Sequence, residues 1–442
     1  MSPEFLSIAM FVVLLLAVFL GHPLGITLGG LGVIFGILGY GPGALFILAN
    51  KTYGLMTNYV LVAIPLFILM AQFLDKSGIA EELYESMYIV LGPIRGGLAL
   101  ATIVVCTVFA ATTGIIGASV VAMGLLAAPS MLKKGYQKEL TAGVITAGGT
   151  LGILIPPSIM LVVYGGLIGM SVGKLFLAAI IPGLILSVLY LIYTWIYCTF
   201  INPEAGPPIP KEEAKKYSLN QKLLMVLKSM FPPLFLILAV LGSIAAGVAT
   251  PTEAAGLGCV GALILALFNK RLNLSMLKEA GYATLKITCM VMLIFVGANF
   301  YTSVFMGLGG GDVFTELLFK ISSNKWVILG IMMLIIFLLG MFVDWLGILL
   351  LCVPIFTPIA VNQLHFDPLW FAMIVCVNLQ MSFLTPPFGY ALFYLKGVAP
   401  EGMTMGHIYK GIIPFVLLQI VGLILCFIFP QIITWLPKVV FH

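Results

Sequence analysis

An all-α polytopic membrane protein, folded as an inverted repeat with two re-entrant helical hairpins and two broken helices, is the fold class this sequence predicts. Three observations predict it. Charged residues make up 8% and apolar residues 62% of the 442 residues, with a mean hydropathy of +1.18, where a soluble domain carries about 25% charged residues. Many apolar stretches are long enough to cross a bilayer, and two more, of about 35 residues, are too long for one span. A glycine-containing tip followed by a Pro-Pro pair occurs once in each half, at the same spacing.

The chain opens with Met1-Ser2-Pro3-Glu4. No basic region precedes the apolar run and no small-residue cleavage site follows it, so 5–21 reads as a retained first span. Spans 24–40 and 56–74 come next. Segment 78–91 sets Glu81, Glu82 and Glu85 among apolar residues and reads as an amphipathic helix along the cytoplasmic face. The run 97–132 has a Gly-rich centre. It reads as a hairpin that enters and leaves on one side, because irregular backbone at membrane depth is tolerated only where it lines a cavity or is buried in protein. A broken helix, 138–169, and a span, 176–200, complete the first half, residues 1–200. The Pro-rich stretch Pro203 to Pro210, followed by Lys211 to Lys222, makes 201–228 a cytoplasmic linker. The second half, 229–442, follows the same order: spans 228–249, 251–268 and 283–306, hairpin 326–361, broken helix 366–398 and a last span, 408–432. Segments 272–282 and 312–323 read as amphipathic, on the cytoplasmic and outer faces. Thr250-Pro251-Thr252-Glu253 places Pro and an acid in a first turn and so starts 251–268.

Basic residues test this topology. With the loop at 133–138 in the cytoplasm, sixteen of the 21 Lys and Arg residues fall on that side. Lys51, Lys174, Lys320, Lys325 and Lys438 remain outside, and both termini come out external. Treating either long run as one span breaks the asymmetry. The net charge of +5 is then a loop property and makes no case for nucleic acid. The seven cysteines all lie in apolar segments without a CxxC pair and read as small hydrophobes, not metal ligands or disulfides. No Ser-His-Asp set, HExxH or P-loop is present, so neither an enzyme nor an ATPase is expected.

The halves correspond at an offset of about 230 residues. Gly114 lies 42 residues before Pro156, and Asp344 lies 42 before Pro386. Each Pro-Pro pair is followed at one distance by a tyrosine, Tyr164 or Tyr394. His22-Pro23-Leu24-Gly25 roughly answers Thr250-Pro251-Thr252-Glu253. The first hairpin starts from the cytoplasm and the second from outside. Inverted repeats of this kind build many secondary transporters, with the site where the broken segments meet.

The first candidate site joins the tip Thr112-Thr113-Gly114-Ile115-Ile116-Gly117-Ala118-Ser119 to the break running from Thr146 through Pro156-Pro157-Ser158. Proline removes a donor and clashes with the preceding turn, so a Pro-Pro pair frees carbonyls. Those carbonyls and nearby hydroxyls suit a dehydrated Na⁺. The half-helix starting at Ser158 points its positive end inward, toward an anionic substrate group. A plain Pro kink in a packed helix is the competing reading. The second site joins Gly340 to Gly347 with Gln380, Ser382 and Thr385. Asp344, the one formal charge between Lys325 and Asp367, costs roughly 3 kcal/mol or more at such depth unless compensated. It could ligate a cation, carry a proton or cap a half-helix. Gly114 and Asp344 mark the two tips. Thr112, Gly149, Ser158 and Gln380 are the candidate substrate contacts. Asn299 and Asn378 read as interhelical hydrogen-bonders.

At these residues the chain resembles the large membrane subunit of the tripartite ATP-independent periplasmic (TRAP) transporters. The matching stretches are Ala63-Ile64-Pro65-Leu66-Phe67-Ile68-Leu69-Met70, Ser77-Gly78-Ile79-Ala80, the Gly114 tip, Leu132-Lys133-Lys134-Gly135-Tyr136, Gly152 through Ser158, Ala249 through Ala255, the Phe342-Val343-Asp344 tip and Thr385-Pro386-Pro387-Phe388-Gly389. The resemblance implies an elevator-type, Na⁺-coupled importer of an organic acid in the bacterial inner membrane. It also implies a small membrane subunit and a periplasmic substrate-binding protein as partners. Carried over, one Na⁺ site uses the backbone near Ala110, Thr113, Gly152, Ile155 and Pro157. The other uses Gly340 or Met341, with Ser382, Thr385 and Phe388. Many relatives have Ser-Gly-Ser-Ser where this chain has Thr113-Gly114-Ile115-Ile116, which shifts the expected ligands of the first tip toward carbonyls. The rival readings are a stand-alone ion-coupled carboxylate transporter and a channel.

Overall fold

The computed structural model describes residues 2–210, 217–387 and 389–441, and every regular element among them is helical. Lys211, Lys215 and Lys216 of the expected linker, and Phe388 of the second site, lie outside the described residues. Eight described helices are long and apolar enough to cross a membrane. A ninth span results if Tyr59–Asp75 and Ile79–Leu91, bent by 53°, count as one.

Helices α1 (Pro3–Phe19), α2 (Leu24–Tyr40), α3 (Ala44–Met56), α4 (Ala63–Asp75) and α5 (Ile79–Leu91) come first. The spans expected at 24–40 and 56–74 assign no element to 41–55. Gly41-Pro42-Gly43 does break the chain, but only into a 3-10 turn, and α3 begins directly after it. Helix α5 is amphipathic as expected: Leu83, Tyr84 and Met87 are buried while Glu81, Glu82 and Glu85 are exposed.

The run 97–132 is a hairpin. Its arms are α6 (Gly97–Thr113) and α7 (Ile116–Lys133), parted at Gly114, whose φ of 60° suits glycine. By length and composition α7 could cross a membrane, but the contacts decide otherwise. The Gly96 and Gln137 amides donate to the neighbouring carbonyls of Gly206 and Ala205, at 2.8 and 2.9 Å. The Leu98 amide donates to the Tyr136 hydroxyl at 3.0 Å. Both feet therefore stand together. The broken helix follows as α8 (Lys138–Thr150), a 3-10 turn and α9 (Ile159–Ile168), then α10 (Val172–Ile196).

Helix α11 (Leu219–Ala245) starts inside the stretch read as linker, under a Ser218/Gln221 capping box. Thr250 and Glu253 form the same device on α12 (Pro251–Phe268). Helix α13 (Leu274–Gly307) runs unbroken for 34 residues. Segment 272–282 is thus no separate surface helix: beyond the Asn273 cap it holds no proline, so nothing stops the first turns joining the span. Helix α14 (Gly310–Ile321) is short. The second hairpin, α15 (Lys325–Gly340) and α16 (Trp345–Pro358), also has joined feet, the Trp326 and Phe366 rings standing 5.2 Å apart. The second broken helix is α17 (Pro368–Ser382) and α18 (Tyr390–Val398); α19 (Met405–Ile428) and a further short helix, α20 (Gln431–Val440), end the chain.

Two bodies of packing hold these elements. In one, α2 crosses α13 where Gly25 and Gly297 meet backbone to backbone, so that a side chain on Gly297 would collide with the Gly25 carbonyl. Helix α4 lies on α12, with the Cys259 thiol 3.0 Å from the Leu66 carbonyl. In the other, the last span of each half packs on the broken helix of the other half. Gly143 of α8 has Gly411 and Phe415 of α19 against it, and α10 packs on α17; within the second half the Trp370 indole of α17 also donates to the Cys426 carbonyl of α19 at 3.0 Å.

Candidate functional site

Each hairpin tip closes on the helix break that follows it. At the first, Gly114 leaves no room for a Cβ, which would sit 2.9 Å from the Pro157 carbonyl oxygen. A Cβ on Gly152 would sit 3.3 Å from the Ser119 hydroxyl and 3.7 Å from the Ala110 Cα. Ala110, Thr113, Gly114, Gly152 and Pro157 are therefore brought together. The Thr112 and Thr113 hydroxyls donate back to the Phe109 carbonyl at 2.7 and 3.2 Å, and the Thr113 and Ser119 hydroxyls are 2.7 Å apart. The carbonyls of Ile155 and Pro157 pair with no described donor. The Ile155 side chain turns away from the tip, onto Gly183 of α10.

Among the substrate candidates of this half, Ser158 is buried and donates to the Ile153 carbonyl. Gly149 is covered by Val120 of α7, against which a Cβ would collide. The structure thus sets Gly149 into the arm of the hairpin and not into the break.

At the second tip, Gly340 packs on the Ser382 hydroxyl so closely that a Cβ there would overlap it. Ser382 donates to the Leu379 carbonyl at 2.7 Å and Thr385 to the Met381 carbonyl at 2.9 Å. Met341 lies in the part-buried turn between Gly340 and Asp344. Asp344 is the N-cap of α16, its carboxylate accepting from the Leu346 amide at 3.3 Å. The Asn378 amide donates to the Met333 carbonyl at 2.8 Å and ties α17 to α15. Gln380, fully buried, has neither its amide nitrogen nor its oxygen paired. An unmatched buried amide costs about 1–3 kcal/mol.

The sequence reading marked Tyr164 and Tyr394 only as a repeat signal; in the fold each reaches the hairpin of the other half. The Tyr164 hydroxyl is 3.4 Å from that of Thr357 beyond the second tip. A Cβ on Gly117, beside the first tip, would sit 3.2 Å from the Tyr394 ring, and Asp344 is within electrostatic reach of Tyr394. Tyr394 thus stands between the two tips. Tyr409, not singled out in the sequence, donates to the Pro387 carbonyl at 3.2 Å. What these breaks offer is oxygen: carbonyls and hydroxyls, with one carboxylate. Such a set suits a hard cation and not a transition metal, and no cluster of three His, Cys, Asp or Glu occurs among the described residues.

Comparison with known proteins identifies the family. Residues 8–432 match the family described as the tripartite ATP-independent periplasmic transporter, DctM component. The C4-dicarboxylate TRAP transporter large permease protein DctM of Pseudomonas aeruginosa is 33% identical, over 92% of this chain and 93% of its own. The sialic acid TRAP transporter large permease protein SiaM of Vibrio cholerae is 30% identical, over 95% and 96%. Among solved structures, the Alcanivorax borkumensis YdaH transporter is similar in fold, with a TM-score of 0.63 at 14% identity over 98% of each chain.

Proposed function

Because the chain belongs to the DctM family of large permease subunits of TRAP transporters, and so is a transport protein and not an enzyme, we propose that it imports an organic acid, a carboxylate or a sulfonate, driven by Na⁺. The observation that carries the reading is the closure of each hairpin tip on a break, with the Ile155 and Pro157 carbonyls free of described donors. A dehydrated Na⁺ takes such oxygens in place of water. One Na⁺ would sit among Ala110, Thr113, Gly114, Gly152, Ile155 and Pro157. A second would sit among Gly340, Met341, Asp344, Ser382 and Thr385. Thr112, Ser158 and Gln380 would face the substrate.

The two halves form the inverted repeat, in which the hairpins and broken helices move as one body against the α2–α13 and α4–α12 pairs, as an elevator. A membrane potential of 100 mV supplies roughly 2.3 kcal/mol per charge moved. A small membrane subunit and a periplasmic binding protein complete the system in the bacterial inner membrane, with both termini periplasmic. The test is uptake into proteoliposomes holding the chain with its small subunit. A C4-dicarboxylate, a sugar acid and a sulfonate are supplied in turn, with and without the binding protein and an inward Na⁺ gradient. Saturable uptake of one of them that needs both is expected. Equal uptake with K⁺ in place of Na⁺ would overturn the coupling, and uptake without the binding protein would favour the stand-alone carrier.

A further inference from the structure

A cleft of about 900 Å³ opens between α3 and α13 on one wall and the end of α9 and the middle of α16 on the other. It follows a seam between the two bodies of packing and lies apart from both helix breaks. Its described lining holds one charged side chain, Lys51, and no carboxylate. The same lining holds the amides of Asn50, Asn58 and Asn299 and the hydroxyls of Thr302 and Ser303, with Lys51 and Asn50 at its exposed side. Thr302 donates to the Leu350 carbonyl at 3.3 Å and Ser303 to the Asn299 carbonyl at 2.7 Å. The Lys51 ammonium and the side-chain amides of Asn50 and Asn299 pair with no described residue. The cleft therefore presents unspent N–H donors and a net positive charge.

The corresponding seam beside the first hairpin has the opposite sign. Its cavity of about 430 Å³, between the α4–α5 bend and α7, is lined by Asp75 and Glu81 and by no described cation.

We propose that the Lys51 cleft is an anion-collecting vestibule, in which a small organic oxyanion, carboxylate or sulfonate, is held by Lys51 and the asparagine amides before it moves to the helix breaks. The proposal rests on the organic-acid reading above and adds to it a site outside the breaks. A cation in a cleft with low-dielectric walls raises the local concentration of anions. The amides add N–H donors for the oxygens of an oxyanion. Asn299 belongs here and not to an interhelical bond: its position at the cleft follows from α13 passing the hairpin arm at Thr302 and Leu350.

The test begins without substrate. Ser303→Cys places a thiol on the wall, with the parent chain as blank. Its modification rates are measured with an anionic and a cationic methanethiosulfonate, the sulfonatoethyl and trimethylammonioethyl reagents. The anionic reagent is expected to react faster, Lys51→Glu to shift the rate ratio roughly tenfold or more toward the cationic one, and Lys51→Arg to leave it in place. In the assembled transporter, Lys51→Gln is expected to raise KM for the transported acid severalfold at near-constant kcat, and Lys51→Arg to restore it. A rate ratio and a KM indifferent to Lys51→Glu, with normal uptake, overturn the vestibule. Absence of acid uptake from the parent chain, with the rate ratio still obeying residue 51, overturns the transport reading and leaves the anion site standing.

Discussion

Asp344 is observed in one role, capping α16 through the Leu346 amide, and a single substitution separates that role from ion binding. Asn caps about as well as Asp, whereas Ala costs about 1 kcal/mol. Asp344→Ala is therefore expected to lower Tm, and Asp344→Asn to leave it nearly unchanged. If the carboxylate also supports the cation, Asp344→Asn raises the Na⁺ concentration for half-maximal uptake severalfold, as does Thr385→Ala; unchanged Na⁺ activation in both retires the second site. Gly114→Ala faces a left-handed φ of 60° and the Pro157 carbonyl at 2.9 Å. The backbone term alone is about 1–2 kcal/mol, so thermal unfolding should move down and uptake fall roughly tenfold. At this scale the sequence displayed its charges and breakers. Asp344 was legible because a lone carboxylate in an apolar run is costly. The unpaired amide of Gln380 was not, since burial without a partner is a property of neighbours.

Apolar length and the placement of the basic residues already read 97–132 and 326–361 as hairpins, although an 18-residue arm such as α7 looks by itself like a span. The feet tell them apart, and cross-linking reads them. Thr102 and Met131 touch at 3.6 Å between the Thr hydroxyl and the Met sulfur, and the Trp326 and Phe366 rings are 5.2 Å apart. Cysteine pairs at 102/131 and 326/366 are expected to bridge readily. Straight rods would hold each pair tens of ångströms apart, and failure of both pairs to bridge in folded protein would remove the hairpins. Helix α3 and the long α13 were misread for one reason. A Gly-Pro-Gly turn and a few charges look like the end of an element, yet the first makes only a 3-10 turn and the second stops no helix that lacks a proline.

Two bodies of packing meet along seams, and relative motion there is open to a direct test. Met70→Cys with Gly258→Cys lies within the α4–α12 pair, where Met70 fills the space beside Gly258. Thr302→Cys with Leu350→Cys spans the seam between α13 and the second hairpin. After bridging with a short bis-methanethiosulfonate, which forms a disulfide with each cysteine and releases methanesulfinate, the first pair is expected to leave uptake largely intact and the second to abolish it until reduction. Intact uptake with the second pair bridged would exclude a moving hairpin body.

The sequence by itself determined the solvent, the number of apolar runs, the two tip-and-break motifs and their spacing, because transfer free energy and backbone breakers act locally and are written in residue type. Only the tertiary structure decided which residues join the hairpin feet, that Tyr394 stands between the tips, that Gly149 is covered by Val120 and that Lys51 faces a cleft free of described carboxylates. Each of these depends on residues distant along the chain meeting in space, and no local preference encodes which ones meet.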